Sequence, residues 1–175
     1  LLSGKTGSRV DVTGVTKENT EITLSTAKEA IDVTSVASGS ITLNNFSIST
    51  AADSTNAKDS VKFTNATVAT DATDKTVTDI TEINKASIKN GMLTCKKDNT
   101  DVTLTLDQAK LVLSKISGVN AHDVVAFKSG HDSYLINVGA NTSSSDDDIV
   151  IKLAGVSTTS KIETLTGGAN EIVVE

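Results

Sequence analysis

Short segments in which apolar residues alternate with threonine, serine or charged residues run through most of this chain. Residues 10–13, 21–24, 40–48 and 60–68 alternate with a period of two, and Gly, Asn and Asp separate such segments. The 175 residues include 26 Thr, 20 Ser and 18 Val but no Pro, and β-branched side chains fit the pleated surface of a strand. We therefore predict a mainly β fold, a short-strand β-sandwich or β-roll or solenoid-like sheets, with one or two short α-helices.

Two similar segments predict a duplicated unit. Residues 99–104 (NTDVTL) repeat residues 19–24 (NTEITL) closely, although a match of six residues in a Thr-rich chain has chance as its alternative. The first copy follows residues 10–13 across a polar turn at 17–19. This arrangement predicts a hairpin at the start of the chain.

A helix signal follows each copy of this segment. Thr26 and Glu29 have the spacing of a capping box in the first copy, and Thr105 and Gln108 have it in the second. The second signal is stronger, because apolar residues then recur at helical spacing and a glycine follows. We predict an amphipathic helix over residues 105–117, packed by its apolar side against the domain's own sheet.

Turn signals predict the remaining strands. The Asn-Gly pair at 90–91 favours a type I′ turn, and with a second turn at 98–99 it predicts a three-stranded meander that leads into the helix. Residues 123–128 and 133–138 are predicted to form two strands around a tight turn. Residues 149–153 predict a further strand, closed by a glycine.

The chain length allows one domain or two small ones. The two candidate domains are residues 1–97, a β-rich region with a hairpin and a short helix, and residues 98–175, a C-terminal β region with the amphipathic helix and the terminal strands. One continuous domain is the alternative. No run of about 18 apolar residues is present, so we do not expect insertion into a membrane.

The net negative charge disfavours polyanionic partners. The net charge is -6 and the isoelectric point is near 4.9, so nucleic acids and anionic lipid surfaces are repelled. Aromatic residues make up 2% of the chain, which disfavours binding of single-stranded nucleic acids or sugars by stacking. Cations and basic surfaces are the expected partners.

The terminal third carries a resemblance to a known group of proteins. Its ordered segments are DSYLINVG at residues 132–139, IVIKLAGV at 149–156 and EIVVE at 171–175. This series resembles the C-terminal ends of bacterial type I-secreted surface-layer (S-layer) proteins, which are related to those of repeats-in-toxin and serralysin-type secreted proteins. The resemblance covers residues 120–175.

This resemblance implies a function and a location. It implies a structural protein of the bacterial cell surface that is exported without an N-terminal signal peptide and associates with identical copies into a lattice, with the cell envelope as a further partner. It also implies a C-terminal secretion signal. The residues of that signal would be Glu171, Ile172, Val173, Val174 and Glu175.

Calcium is the cofactor that the acidic residues suggest. Fifteen acids are Asp and seven are Glu, and short carboxylates beside Ser, Asn and Gly are typical of oxygen-ligated calcium sites. The calcium-binding glycine-rich nonapeptide of the repeats-in-toxin proteins is absent, so calcium would have to bind at isolated loops. The candidate ligands are Asp146, Asp147, Asp148, Asp98 and Asp101, and a solvated strand edge is the alternative for the three adjacent acids.

Catalysis is not expected from this sequence. His131, Asp132 and Ser133 contain the residue types of a hydrolase triad, but consecutive residues cannot form its hydrogen-bonded series. His122 and His131 are predicted to be turn residues, and Cys95 a packed thiol. Two alternatives to the lattice protein stay open: a noncatalytic C-terminal module of a secreted protease or lipase, and a secreted adhesin module.

Overall fold

The structure is a computed structural model, and it describes residues 8–12, 20–48, 59–165 and 169–175. These residues form two β-sheets and one α-helix, so the predicted mainly β fold is confirmed. The strands are, in chain order, β1 (Ser8–Asp11), β2 (Thr20–Thr23), β3 (Glu29–Asp32), β4 (Gly39–Asn44), β5 (Ser60–Lys62), β6 (Thr67–Val68), β7 (Ala72–Thr76), β8 (Lys85–Lys89), β9 (Met92–Lys97), β10 (Thr100–Val102), β11 (Asp123–Ser129), β12 (Asp132–Asn137), β13 (Ile149–Ala154), β14 (Ile162–Thr164) and β15 (Glu171–Val174). The helix, α1, spans Leu106–Leu113.

The first five strands alternate between the two sheets, so this part of the chain winds as a coil. β1, β3 and β5 are parallel neighbours in sheet A, whose strand order is β1-β3-β5-β15-β14. β2 and β4 are parallel neighbours in sheet B, ordered β2-β4-β13-β12-β11-β9-β8-β7, with β10 beside β9 and β6 beside β11. Ser8 pairs with Glu29 and Thr20 pairs with Ile41, so the first turn of the coil takes 21 residues in both sheets, whereas Ala30 pairs with Ser60, 30 residues on.

A repeated pattern of apolar residues and hydroxyls explains the coil. Two apolar residues, two positions apart, face the interior in each of three successive turns. These buried pairs are Val10 and Val12, Ile31 and Val33, and Val61 and Phe63. Hydroxyls beyond the strands then join one turn to the next, because Ser35 Oγ donates to the carbonyl of Val12 at 2.9 Å and Thr64 Oγ1 donates to that of Thr34 at 2.6 Å.

The hairpin predicted between residues 10–13 and 21–24 is wrong. β1 lies in sheet A and β2 lies in sheet B, and the predicted turn at 17–19 lies outside the described residues. Alternation places apolar residues on one face of a strand but does not choose the partner of that strand. Here each strand pairs in parallel with its equivalent in the next turn of the coil.

The helix predicted after Thr26 is also wrong, because Glu29–Asp32 is strand β3. The Glu29 carboxylate accepts hydrogen bonds from the amide and the hydroxyl of Ser25, at 2.9 and 3.0 Å. The predicted duplication is also wrong, because β2 pairs in parallel with β4 whereas β10 pairs antiparallel with β9. The two copies therefore occupy different structural settings.

The turns and strands predicted for the second half are confirmed. β8, β9 and β10 form the antiparallel meander, and Asn90 and Gly91 in its first turn have φ angles of 52° and 72°. β11, β12 and β13 lie within one residue of the predicted bounds. α1 begins with the predicted capping box of Thr105 and Gln108, but it ends at Leu113, four residues earlier than predicted.

The middle of sheet B, around β11 and β13, is buried on both faces, which gives this part of the molecule three layers. Alternate residues of β11 divide between two cores: Val124 and Ala126 pack between the sheets, and Val125 and Phe127 pack under α1. The ring of Phe127 stacks on that of Tyr134, with centroids 5.0 Å apart. The apolar side of α1 therefore packs against the sheet, as predicted.

Strands from both halves of the chain share both sheets. β15 lies between β5 and β14 in sheet A, and β13 lies between β4 and β12 in sheet B. The boundary considered between residues 97 and 98 falls inside the β9–β10 hairpin. Among the described residues, no helix has the length and apolar character needed to cross a bilayer.

Candidate functional site

The first turn of the coil leaves two strand edges open at the same end of the molecule. β1 ends sheet A and β2 ends sheet B, and no described residue pairs with their outer edges. The amide of Val12 donates to the carbonyl of Asp32, and the amide of Leu24 donates to the carbonyl of Asn44. Because the main-chain groups of successive strand residues point in opposite directions, those of every second residue of β1 and of β2 point away from the sheet. We call β1 and β2 together the open coil end.

Opposite charges lie side by side on β1. The side chains of Arg9 and Asp11 are 57% and 56% exposed, and their charged groups are 4.0 Å apart. The Arg9 guanidinium also forms an ion pair with the buried carboxylate of Asp32. Burial alone would raise the pKa of Asp32, but hydrogen bonds from the hydroxyl and amide of Thr34, together with the charge of Arg9, lower it.

The strands at the far ends of the two sheet orders, β7 and β14, are protected. β7, at the far end of sheet B, carries an irregularity in its register between Ala72 and Lys75, which disrupts a regular edge. β14, at the far end of sheet A, is partly covered, because the amide of Ile162 donates to the carbonyl of Asn90 at 3.1 Å. Among the described residues, the open coil end therefore offers two neighbouring strand edges that have no partner strand.

The three adjacent acids predicted as calcium ligands lie in the loop between β12 and β13. The buried carboxylate of Asp148 accepts the amide of Gly139, and that of Asp147 accepts the amide of Asn141, each at 3.0 Å. Asp146 is exposed. Burial raises the pKa of Asp148, although the Gly139 amide opposes this. Two of the three carboxylates therefore hold their own loop together.

Asp98 and Asp101 lie at a separate hairpin. The Asp98 carboxylate accepts the side-chain amide of Asn84 at 2.8 Å, and Asp101 is an exposed residue of β10 opposite Lys96. Within the ranges that the structure describes, no three His, Cys, Asp or Glu residues are grouped so that they could hold a metal ion. Calcium binding by the five acids stays a prediction.

The predicted secretion signal forms an interior strand. Ile172, Val173 and Val174 are buried in β15, between β5 and β14. The Ser60 hydroxyl donates to the Glu171 carboxylate, and the amides of Ser160 and Lys161 donate to the Glu175 carbonyl. In the folded protein this segment is therefore part of sheet A.

A pair of buried acids escaped the sequence analysis. Glu29 is 0% exposed and Asp59 is 1% exposed, and the Asp59 carboxylate accepts the amides of Glu29 and Ser47 at 2.9 and 2.8 Å. Burial raises the pKa of Asp59, the two amides oppose this, and the nearby Glu29 carboxylate adds to the rise. The predicted capping box paired Glu29 with Thr26, whereas the Glu29 carboxylate accepts the amide and hydroxyl of Ser25.

A cleft of about 230 Å³ with a mixed polar and apolar lining lies where the loops of the two sheets meet. Its lining includes His122, Asn137 and Asp147. The Asn137 side-chain amide donates to the carbonyls of Asn65 and His122, at 3.0 and 3.3 Å. His122 and His131 both lie in turns, as predicted, and His131 does not line this cleft.

Comparisons with known proteins add no family to this description. No protein-family model, no curated protein and no solved structure matches the chain. The function is therefore argued from the fold and its open edges.

Proposed function

We propose that this chain is a structural module of a type I-secreted bacterial surface-layer protein, which assembles with identical copies on the cell surface. The open coil end carries this proposal. An unpaired strand edge is a template on which further strands can pair, and β1 and β2 offer two such edges at one end of the molecule. Pairing at this end joins copies two by two, so growth into a lattice needs a second contact between copies, for which we propose calcium.

Electron microscopy and sedimentation of the purified chain test the assembly. We expect ordered particles much larger than a single copy at high protein concentration. Particles that remain single copies at every concentration would contradict the proposed function. The test requires no variant, so it is independent of which edge makes the contact.

Calcium is proposed to bridge exposed acids of neighbouring copies. Asp146 and Asp101 are exposed, whereas Asp147 and Asp148 are occupied by amides of their own loop. We expect calcium to enlarge the particles, and the double variant Asp146→Asn and Asp101→Asn to reduce this response. Asp79→Asn, at an exposed turn, is the matched control. Particle size that is the same with calcium and with a chelator would contradict this role.

Export through the C-terminal segment needs a test that preserves the fold. Deleting residues 171–175 would remove a strand from the middle of sheet A, so loss of export would be ambiguous. Glu171→Gln with Glu175→Gln removes both charges and keeps the apolar residues between them. In a bacterium with a type I exporter, we expect less of this variant in the medium, with an unchanged circular dichroism spectrum. Undiminished export would contradict the assignment.

A further inference from the structure

We propose that two copies of this chain pair through the open coil end, with β1 of one copy antiparallel to β1 of the other and the two-fold axis at Val10. This inference rests on the proposed self-association and names the surface that makes it. The partner is a second copy of this chain.

The backbone groups that pairing needs are in place. The main-chain amides and carbonyls of Val10 and Val12 point toward β3, so those of Arg9 and Asp11 point away from the sheet. In an antiparallel pair centred on Val10, Arg9 of each copy lies opposite Asp11 of the other. Arg9 of one copy and Asp11 of the other would form two main-chain hydrogen bonds with each other. The Val10 residues of the two copies would lie opposite each other as a non-hydrogen-bonded pair.

The charges of β1 suit this register. The side chains of Arg9 and Asp11 are on the same face and more than half exposed, so pairing creates two Arg-to-Asp contacts across the axis. Arg9 already contacts Asp32, but a guanidinium has five N–H donors and can serve both carboxylates. A parallel arrangement of two β1 strands in register would instead place like charges opposite each other.

The second edge fits the same symmetry. When the two-fold axis is perpendicular to the sheets, sheet A of one copy continues into sheet A of the other, and sheet B continues into sheet B. The strands that meet at the axis are then antiparallel. On β2 the outward backbone groups belong to Glu21 and Thr23, with Ile22 buried between them. Centring this pair on Ile22 places Glu21 opposite Thr23 and so avoids a pair of like charges.

Two charge reversals test the register. Asp11→Arg gives a strand with two positive charges, and Arg9→Asp gives one with two negative charges, so each variant alone opposes like charges across the axis. We expect the dissociation constant of the homodimer, measured by sedimentation velocity, to rise at least tenfold for each. A mixture of the two variants restores both opposite pairs and should form a one-to-one heterodimer.

Two controls keep the result interpretable. Glu82→Arg makes the same change of charge as Asp11→Arg at an exposed turn and should leave the dissociation constant unchanged. Arg9→Asp also removes the ion pair to Asp32, so thermal unfolding of each variant establishes that it is folded under the conditions used. If Asp11→Arg folds and Arg9→Asp does not, the test is the dissociation constant of the Asp11→Arg homodimer, together with that of the heterodimer it forms with the native chain.

The outcomes separate this inference from the proposed function. A dimer that neither reversal weakens, or a mixture that does not form the heterodimer, overturns the β1 pairing. Large particles that form equally well from native chain and variants overturn the pairing but leave self-assembly standing. A native dimer that responds as expected and never grows larger supports the pairing and contradicts the lattice.

Discussion

The main-chain amide of Glu29 donates a 2.9 Å hydrogen bond to the carboxylate of Asp59, thirty residues further along the chain. Asp59 also accepts the amide of Ser47, so one buried side chain fastens the start of β3 to the segment that follows β4. Hydrogen bonds between buried groups and a carboxylate hold loops that the strand ladders do not reach. The same burial makes the carboxylate sensitive to pH.

The protonation of Asp59 should change stability in one direction. Burial raises its pKa above the ordinary value of 3.8, so the folded state holds the proton more tightly than the unfolded state. The resulting stability is fully present below pH 3.8 and is lost as the pH rises through the folded pKa. Asp59→Asn cannot ionise, so the native protein should lose stability relative to this variant over that range. Urea unfolding at a series of pH values measures the trend, and a flat difference would contradict it.

Asp132 should show the opposite trend. Its carboxylate accepts hydrogen bonds from the Lys152 ammonium and the Gly155 amide, both at 2.8 Å, and these lower its pKa. The stability that the pair provides is therefore present above pH 3.8 and is lost as the pH falls through the folded pKa. Because both side chains are partly exposed, we expect Asp132→Asn to cost only about 1 kcal/mol at neutral pH, and less in acid. The same urea series measures it, and an equal cost at both pH values would refute the assignment.

Gly91 should tolerate no side chain. Its φ is +72°, and a Cβ atom there would lie 2.4 Å from Cγ1 of Ile162. Gly91→Ala combines backbone strain with a clash in a packed region, so we expect a loss of roughly 3 kcal/mol in the free energy of unfolding. Gly130→Ala is the matched control, since its φ is +62° with no atom within 4 Å, and we expect about 1 kcal/mol there. Equal losses for the two variants, by chemical denaturation, would contradict the role of Ile162.

Cys95 should be inert in the folded protein. Burial raises the pKa of its thiol to about 12, and only the thiolate reacts with disulfide reagents. We expect labelling at pH 8 to be slow in buffer and fast in denaturant. Since the chain has one cysteine, the signal has a single origin. Rapid labelling of the folded chain would place this thiol at the surface.

Features governed by neighbouring residues could be predicted from the sequence. The Asn90-Gly91 turn, the capping box of Thr105 and Gln108, and the strands around Gly130 all depend on contacts within a few positions. Each of these signals has a local physical cause, such as a left-handed backbone or an unpaired amide at the start of a helix.

The coil could not be predicted in this way because its contacts join residues 21 or 30 positions apart. Residues 10–13 (VDVT) and 31–34 (IDVT) are nearly identical, and this similarity marks successive turns. The match between residues 19–24 and 99–104 is more conspicuous in the sequence, but β2 and β10 lie in unrelated surroundings. The amides that Asp147 and Asp148 accept could not be predicted either, since they belong to residues six and nine positions earlier in the chain.

The position of β15 bears on when the protein can fold. β15 follows every other described strand of sheet A along the chain, yet it lies between β5 and β14. While a ribosome is still making residues 171–174, the space between β5 and β14 is empty and the apolar residues around it are exposed to water. Sheet A therefore closes only after residues 171–174 have been synthesised and have left the ribosome.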